Sequence, residues 1–242
     1  MKKSFINKII ATFIFLLIWH FASKSFSSII LPSPFEVVIS FINNINDKNF
    51  FKHIGVTVYK AFWGIVISFL LAFPIGVLMG IKKEVYDFFH PFVVFIQSMP
   101  VIAWVLLALI WFDNNFIPVF VVIIAVIPII ILNIAEGVKR VDHKLLEMAE
   151  IYKLSKGKVI KNIYIPSIAG YFESSLKIVF GNTFKVVVMA EVLAHPGMGI
   201  GEKMSWARIN IETADLLAWS FMVVIITFII MGVLKLFQKE KN

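Results

Sequence analysis

Long apolar runs constrain the fold of this 242-residue chain more than any other feature of its sequence. A helix needs about 20 apolar residues to cross a bilayer, and six stretches approach that length. They are Ile6–Ala22, Val56–Gly80, Phe92–Phe112, Phe116–Ile134, Ile168–Ala194 and Leu216–Leu234. None alternates over about ten residues, as the strands of a membrane β-barrel do. The sequence therefore predicts an all-α membrane protein with six transmembrane helices.

Composition supports a membrane protein and argues against a soluble one. A soluble domain carries about a quarter charged residues, whereas this chain has 16% charged and 60% apolar residues. The formal net charge of +8 also occurs in nucleic-acid-binding proteins. Here, however, the charges cluster between the apolar runs, so we expect no nucleic-acid partner. The absence of cysteine excludes disulfides, cysteine zinc sites and thiol catalysis.

Lysine and arginine are distributed unevenly between the two faces that six spans define. Both termini and the loops after the second and fourth spans together carry 15 of them, against 5 on the opposite face. Positive loops stay in the cytoplasm. We therefore expect a multi-pass protein of the cytoplasmic membrane with both termini and the long loop 136–166 in the cytoplasm.

The first 55 residues combine one apolar run with a more polar segment. We expect one domain over residues 1–242, with a first transmembrane helix and an external amphipathic segment over 1–55 and a core bundle over 56–237. Ala22–Lys24 is a poor cleavage site, so the first run is predicted to remain as an anchor. Ser33–Glu36 has the pattern of a capping box with proline at the first helical position, which predicts an amphipathic helix on the outer surface.

Prolines and one short connection shape the middle of the chain. Pro74, Pro100 and Pro128 fall inside predicted spans and should kink or locally unwind them. The connection Asp113–Asn115 is so short that the third and fourth spans are predicted to form an antiparallel hairpin.

The long loop between the fourth and fifth spans has two helix start signals. Asp142 is a suitable N-cap, and Val141 before it can staple onto Leu146. Ser155 is a second cap. We therefore predict two short helices that meet at Lys153–Ser155 and form a compact elbow.

One face of this elbow is apolar. Leu145, Ala149 and Tyr152 share it, with Met148 beside them. An exposed apolar helical face usually fills a groove of a partner. The alternative is that the face packs on the helix ends of the chain itself, and the residues alone leave the two open.

Spacing in the elbow resembles a known motif. Glu147–Ala149, followed at the right distance by Ile163–Pro166, is similar to the EAA motif of permease subunits of ATP-binding-cassette (ABC) importers. The motif glycine is replaced by Lys153, so the bend must be made by a residue with a side chain. The resemblance implies that the following residues couple the permease to an ATPase: Glu147, Met148, Ala149, Tyr152, Lys153, Leu154, Ser155 and Pro166.

Other segments resemble the branch of these permeases that imports sulfonates, taurine, nitrate and thiamine-precursor pyrimidines. They are Leu31–Pro34, His53–Lys60, Pro100–Trp104, Trp111–Phe112, Ala190–Glu191 and Gly197–Gly199. The resemblance implies a single type-1 permease domain over 1–242 with the motif loop at 136–166. It also implies a homodimer in membrane lipid, a cytoplasmic ABC ATPase dimer and an external solute-binding protein.

Chemistry within the chain itself is not indicated. ATP hydrolysis needs a phosphate loop of the form GxxxxGK[ST], and the one glycine-rich stretch, 196–203, has no Gly-Lys pair. Glu191 and His195 stand four residues apart, a pair that is more often structural than metal-binding. We expect no catalytic residue, no metal and no cofactor here, with ATP and magnesium bound by a partner subunit.

The fifth span is unusually polar for a membrane helix. Charges at membrane depth usually face a bundle interior or a water-filled path. Asn182 and Lys185 are therefore candidates to line a translocation pathway for an anionic or polar solute, unless Lys185 pairs elsewhere in the bundle. Glu191 is a third candidate, with a structural role as its alternative.

Two other functions stay open at this stage. A transporter driven by an ion gradient would show several intramembrane carboxylates and an internal repeat, and we see Glu191 and no repeat. A permease-like component without import activity is the second. The solute also stays open between an oxyanion such as a sulfonate and a neutral heterocycle.

Overall fold

The computed structural model describes residues 2–239; residue 1, residues 240–242 and the side chains of 2–5, 8, 156 and 237–239 lie outside the description. The described residues form helices and contain no strand. The elements are α1 (Lys2–Lys24), α2 (Pro34–Ile45), α3 (Phe50–Ile81), α4 (Lys83–Ser98), α5 (Val101–Trp111), α6 (Ile117–Lys139), α7 (His143–Ile151), α8 (Lys156–Val159), a π-helical turn (Ile160–Tyr164), α9 (Ile165–Ala194), α10 (Ile200–Ile209) and α11 (Thr213–Lys239). The predicted all-α fold is confirmed.

Within residues 2–239, three helices are long and apolar enough to cross a membrane by themselves. They are α3, α6 and the Thr213–Leu236 part of α11, and the bent pair α4 and α5 can form a fourth span. The complete set of six spans stays a prediction, as does the cytoplasmic side of the elbow. The predicted placement of the termini concerns residues 1 and 240–242, which lie outside the described residues.

The predicted third span is interrupted at Pro100, as expected of a proline that kinks or unwinds a span. The structure breaks it between Ser98 and Val101, where α4 and α5 meet at 93°. Pro100 explains the break, because it has no N–H to donate and forces Met99 before it into an extended conformation (φ −73°, ψ 131°). By contrast, α3 and α6 continue through Pro74 and Pro128 without unwinding.

The core of the bundle is built around α6, which packs against α3 and α9. Glycines in the middle and in the last turn of α3 allow the two backbones to approach closely. A Cβ atom on Gly64 would lie 2.5 Å from Val122, and one on Gly80 would lie 2.4 Å from Val138. Close packing through small residues is a usual way for membrane helices to associate. It fixes α3 and α6 together along their lengths.

The predicted external amphipathic segment is helical and capped as expected. Ser33 N donates to the Glu36 carboxylate at 2.6 Å, and Glu36 N donates to Ser33 Oγ at 3.3 Å, which confirms the capping box. Ser40 Oγ donates to Asp215 Oδ1 at 3.0 Å and ties α2 to the first turn of α11. The outer-surface location of α2 stays a prediction.

Candidate functional site

The elbow folds as its start signals predict. The Asp142 side chain accepts a hydrogen bond from Lys144 N at 2.9 Å and begins α7. Val141 and Leu146 lie in one apolar cluster, as expected for a staple. α8 begins directly after Ser155, whose carbonyl accepts bonds from the backbone of Lys158 and Val159.

Lys153 makes the bend of the elbow in a left-handed conformation, with φ at +47°. Lys153 N donates to Glu150 O and Leu154 N donates to Ala149 O, both at 2.9 Å. These two bonds form a Schellman motif, which usually has glycine at the left-handed position. The bend that the motif glycine would make is therefore present. Lys153 pays a conformational cost there, because a residue with a side chain disfavours the left-handed conformation.

The two sides of α7 face different surroundings. Ala149 is 4% exposed and is buried with Val141 and Ile163 inside the elbow. The other residues assigned to ATPase coupling, Glu147, Met148, Tyr152, Lys153, Leu154, Ser155 and Pro166, are exposed. The Ala149 side thus packs on the chain itself, and Ala149 is not accessible to a partner in this arrangement.

An exposed apolar patch lies on α7 and the residues directly after it. We call it the docking patch; it consists of Leu145, Met148, Ile151, Tyr152 and Leu154. Ile151 and Tyr152 are 77% and 72% exposed. Sequence reasoning missed Ile151 because it drew the apolar face through Ala149. The spacing of Ile151 three residues after Met148 was the available signal.

The second arm of the elbow runs without interruption into α9. α8, the π-helical turn and α9 form one helical segment from Lys156 to Ala194. Within it Ile165 N donates to Ile160 O, five residues back. Pro166 follows at once, and its missing N–H and bulky ring disfavour a regular α-turn there. The helix that contains the predicted fifth span therefore begins before Ile168, the predicted start of that span.

α9 carries a partly polar stripe that faces away from the rest of the chain. This exposed stripe consists of Ser174, Ile178, Asn182 and Lys185, at helical spacings of four and three. Lys185 lies 20 residues, about 30 Å, beyond the first residue of α9. Its ammonium forms no ion pair with any described residue.

Glu191 is on a different side of α9 and is fully buried. Its Oε1 lies 3.1 Å from Lys60 Nζ, and both side chains are almost inaccessible. Its Oε2 accepts hydrogen bonds from Thr57 Oγ1 at 2.9 Å and from Gly201 N at 3.0 Å. The structure therefore does not bring Glu191 together with Asn182 and Lys185, and its contacts are those of a structural ion pair.

One face of α3 fastens the turn between α9 and α10. Lys60 Nζ donates to Met198 O at 2.9 Å, and Thr57 Oγ1 accepts from Ile200 N at 2.8 Å. His53 Nδ1 accepts from Gly199 N at 3.2 Å. Sequence reasoning did not assign these contacts. The signal was the spacing of His53, Thr57 and Lys60, three polar residues on one side of an apolar helix.

The glycine-rich stretch is a tight turn rather than a phosphate loop. Gly199 has φ at +144°, and a Cβ there would lie 2.3 Å from Glu191 Oε1. Only glycine fits this close approach. Glu191 and His195 do not form a pair, since Glu191 binds Lys60, while His195 Nδ1 lies 3.8 Å from Glu202. Among the described residues there is no group of three or more metal-ligating side chains.

A half-buried ion pair links the connection before α3 to α10. Lys203 Nζ lies 3.1 Å from Asp47 Oδ2. The backbone N–H of Asn49 and then the Lys203 ammonium hold the pKa of Asp47 below its ordinary value. Because that pKa is lowered on folding, this contribution to stability is present near neutral pH and disappears as the pH falls through the folded-state pKa.

Residues 72–240 match a family model described as the binding-protein-dependent transport system inner membrane component. Among similar proteins, the nitrate import permease protein NrtB of Synechococcus elongatus is 31% identical over 210 residues, which cover 82% of this chain and 75% of that protein. The bicarbonate transport system permease protein CmpB of the same organism is 25% identical over 199 residues, covering 77% and 71%. The putative aliphatic sulfonates transport permease protein SsuC of Bacillus subtilis is 25% identical over 184 residues, covering 75% and 66%.

A solved structure shares the fold. It is a chain of the MetNI methionine ABC transporter in inward-facing conformations, with a TM-score of 0.63 at 13% identity. The match covers 78% of this chain and 92% of that one.

Proposed function

The chain belongs to the family of binding-protein-dependent transport system inner membrane components and is the permease component of an ABC importer, and we propose that its solute is a small oxyanion. Members of this family are integral proteins of the inner membrane. The proposal rests above all on Lys185, a cation on the exposed stripe of α9 that has no carboxylate partner among the described residues.

The charge balance along α9 favours an anion. An unpaired lysine at membrane depth is costly unless it faces a polar cavity or a ligand. Glu191, the acidic candidate of the same helix, is already neutralised by Lys60 and is directed away from the stripe. The exposed stripe therefore offers a cation and the Asn182 amide, which together suit an oxyanion. The names of the similar permeases, for nitrate, bicarbonate and sulfonates, describe anions of this class.

The ATP hydrolysis that drives this transport takes place in partner subunits. We infer that a cytoplasmic ATPase binds the docking patch, because five exposed apolar side chains on one short helical elbow need a partner surface. Motion at the elbow reaches Lys185 directly, since residues 156–194 form one helical segment. A second copy of the chain facing the stripe would complete the pathway, and an external solute-binding protein would deliver the solute.

Energy coupling follows from differential affinity. ATP binding favours one arrangement of the ATPases, and the elbow transmits it to α9 as a shift between outward-open and inward-open states. The solute influences this equilibrium only by binding the two states unequally. A gradient-driven carrier would instead place an ion-binding carboxylate on the exposed stripe, and its four residues include none.

Uptake by cells that express the complete importer tests this function. We expect Lys185→Gln to lower uptake of the transported oxyanion at least tenfold with normal membrane levels, while Lys185→Arg retains most of it. Lys52→Gln is the matched control, because Lys52 is an exposed lysine outside the stripe. The panel contains nitrate, bicarbonate, methanesulfonate and a neutral pyrimidine. Unchanged uptake by Lys185→Gln, or uptake of the pyrimidine alone, would overturn the oxyanion proposal.

A further inference from the structure

A groove with a volume of about 610 Å³ lies between α2 and the turn that connects α10 to α11. We call it the α2 groove; its walls come from the connection before α2, from one side of α2 and from the α10–α11 turn. Ser40 Oγ and the Asn44 amide both donate to Asp215 Oδ1. Thr213 Oγ1 donates to Ile29 O. These bonds join the walls, so the groove is a fixed feature of this part of the fold.

The α2 groove and the elbow lie at opposite ends of α3, a helix long enough to cross a membrane. α3 begins shortly after Asp47, which pairs with Lys203 in the wall of the groove. Its last turn packs on Val138 of α6, and α6 leads into the elbow. The 32 residues of α3 extend over about 48 Å. In the function proposed above the elbow binds a cytoplasmic ATPase, so the groove faces the outside, and the present inference rests on that function.

Three isoleucines present apolar surface in the α2 groove. Ile29, Ile39 and Ile211 line it and are 58%, 43% and 63% exposed. They belong to three separate segments, and only the fold brings them to one place. Exposed apolar side chains that are scattered singly are normal, whereas a group of them rimmed by polar residues marks an interaction site.

Ile211 has a backbone conformation that does not favour isoleucine. Its φ is +62°. Ile211 N donates to Arg208 O and Glu212 N donates to Ala207 O, which makes a Schellman motif at the end of α10. Glycine suits the left-handed position of this motif, and a β-branched residue is disfavoured there. Isoleucine therefore serves the turn poorly, and its exposed side chain is available for a contact outside the chain.

The polar part of the α2 groove carries negative charge that the chain does not neutralise. Glu36, Glu212 and Asp215 line it, and none of the three forms an ion pair with a described residue. Lys203, the cation among the lining residues, is paired with Asp47. Surfaces that bind each other have complementary potentials, and like charges repel. The groove therefore suits the lysine or arginine side chains of a protein partner and disfavours the phosphates of a lipid surface.

We propose that the α2 groove is the surface on which the external solute-binding protein docks. A basic side chain of that protein lies between Glu212 and Asp215, and apolar side chains beside it contact Ile39 and Ile211. The family to which the chain belongs is described as a binding-protein-dependent transport system, so a partner of this kind is expected on the external face.

Docking at this groove would act on the end of α9. The α10–α11 turn lies at one end of α10, and at the other end Gly201 N donates to Glu191 Oε2 of α9 at 3.0 Å. α10 thus connects the groove to the helix that carries Lys185. The arrival of the solute-binding protein and the state of the pathway are thereby linked through one short helix.

The affinity of the solute-binding protein for the complete importer tests the groove. The permease with its ATPases is held in phosphatidylcholine nanodiscs, and the dissociation constant of the purified solute-binding protein of the same importer is measured. We expect Ile211→Gly to weaken binding about fivefold or more. Its thermal unfolding midpoint should stay unchanged or rise, because glycine suits the left-handed conformation. Glu212→Lys should weaken binding about tenfold or more, because a like charge then faces the basic partner.

Matched variants at the elbow end serve as controls. Lys153→Gly also replaces a left-handed residue by glycine, and Glu84→Lys also reverses the charge of an exposed glutamate. Both should bind the solute-binding protein like the wild type. Lys185→Gln should bind it normally too, so a failure of the oxyanion proposal would leave this result unchanged. Normal affinity of both Ile211→Gly and Glu212→Lys, or equal weakening in the controls, would overturn the docking proposal.

A photo-crosslink identifies what covers the groove. Benzoylphenylalanine in place of Ile211 should form an adduct with the solute-binding protein in cells that express the complete importer. The same residue in place of Ile151, in the docking patch, is the control and should not form this adduct. An adduct of position 211 with lipid alone, or with a second copy of the permease, would assign the groove to that occupant and would refute the proposal.

Discussion

Lys60 of α3 and Glu191 of α9 form an ion pair inside the helix bundle, with 3.1 Å between Nζ and Oε1 and 6% and 0% of their side chains exposed. The pair also fastens the turn after α9, because Lys60 donates to Met198 O and Glu191 accepts from Gly201 N. The end of α9 is thereby attached to α3. We infer that the two helices move together when the elbow moves.

Removing one partner of this pair should be costly. Glu191→Ala leaves the Lys60 ammonium buried and unpaired, which typically destabilises a protein by about 3–5 kcal/mol. We expect a clear drop in the thermal unfolding midpoint of the detergent-purified permease.

The double variant Lys60→Met with Glu191→Met serves as the control for that prediction. It removes both charges and keeps apolar volume, so it should be more stable than Glu191→Ala alone. Glu84→Ala, at an exposed position, should leave the midpoint unchanged. Equal midpoints for Glu191→Ala and the wild type would show that the pair does not hold the bundle together.

Gly199 and Gly197 offer a matched test of the turn. Both have positive φ, but a Cβ on Gly199 would collide with the Glu191 carboxylate at 2.3 Å, whereas nothing lies within 4 Å of one on Gly197. Gly197→Ala should cost about 1 kcal/mol for its backbone conformation alone. Gly199→Ala should cost clearly more, measured by the same thermal unfolding. An equal cost at both positions would contradict the close approach.

Glycine suits the backbone conformation at position 153 better than lysine does. Its left-handed conformation costs about 1 kcal/mol that glycine does not incur, so Lys153→Gly should stabilise the elbow. The measurement is hydrogen exchange of the peptide that contains Leu154, whose amide donates to Ala149 O. Lys158→Gly makes the same change within α8. It should destabilise the elbow, because glycine has a low helix propensity. Faster exchange at Leu154 in Lys153→Gly would refute the bend as described.

The π-helical turn between the elbow and α9 holds one residue more than an α-turn. Deletion of the exposed Asn162 should convert it into an α-turn and leave the rotation of the elbow relative to α9 almost unchanged, because both turns complete about one full turn. We expect the deletion variant to transport the solute. Insertion of one alanine after Gly170, within α9, should instead rotate the elbow by about 100° and abolish uptake while the ATPase still co-purifies. Normal uptake by the insertion variant would argue against rigid transmission through this segment.

Local signals in the sequence predicted the elbow and its ends correctly. The cap at Asp142, the capping box at Ser33 and the bend at Lys153 depend on residues a few positions apart, so their patterns are visible in the sequence. Apolar length alone predicted α3, α6 and α11. The proline at position 100 predicted a break in the helix, but the sequence did not predict the angle of 93° between the two parts.

Contacts between distant residues were not predictable in the same way. Lys60 and Glu191 are separated by 131 positions, and only the packing of α3 beside α9 pairs them. The sequence left open whether the face of Ala149 meets a partner or the chain itself, because the periodicity of α7 does not say which side meets Val141 and Ile163. The π-helical turn was not predicted either. It arises because Pro166 lies inside one continuous helix, whereas the predicted span began only after Pro166.

The central claim is that the docking patch connects this permease to its ATPase, and co-purification tests it most directly. Tyr152, a residue of the patch, is 72% exposed. Loss of an interface tyrosine of this kind costs about 2 kcal/mol or more. We therefore expect Tyr152→Asp to lose the ATPase that accompanies the wild type while its own thermal unfolding midpoint stays unchanged.

Phe35→Asp is the matched control, because Phe35 is an equally exposed aromatic residue on α2. It should retain the ATPase. Full retention of the ATPase by Tyr152→Asp, or the absence of any ATPase from the wild type under mild conditions, would contradict the account.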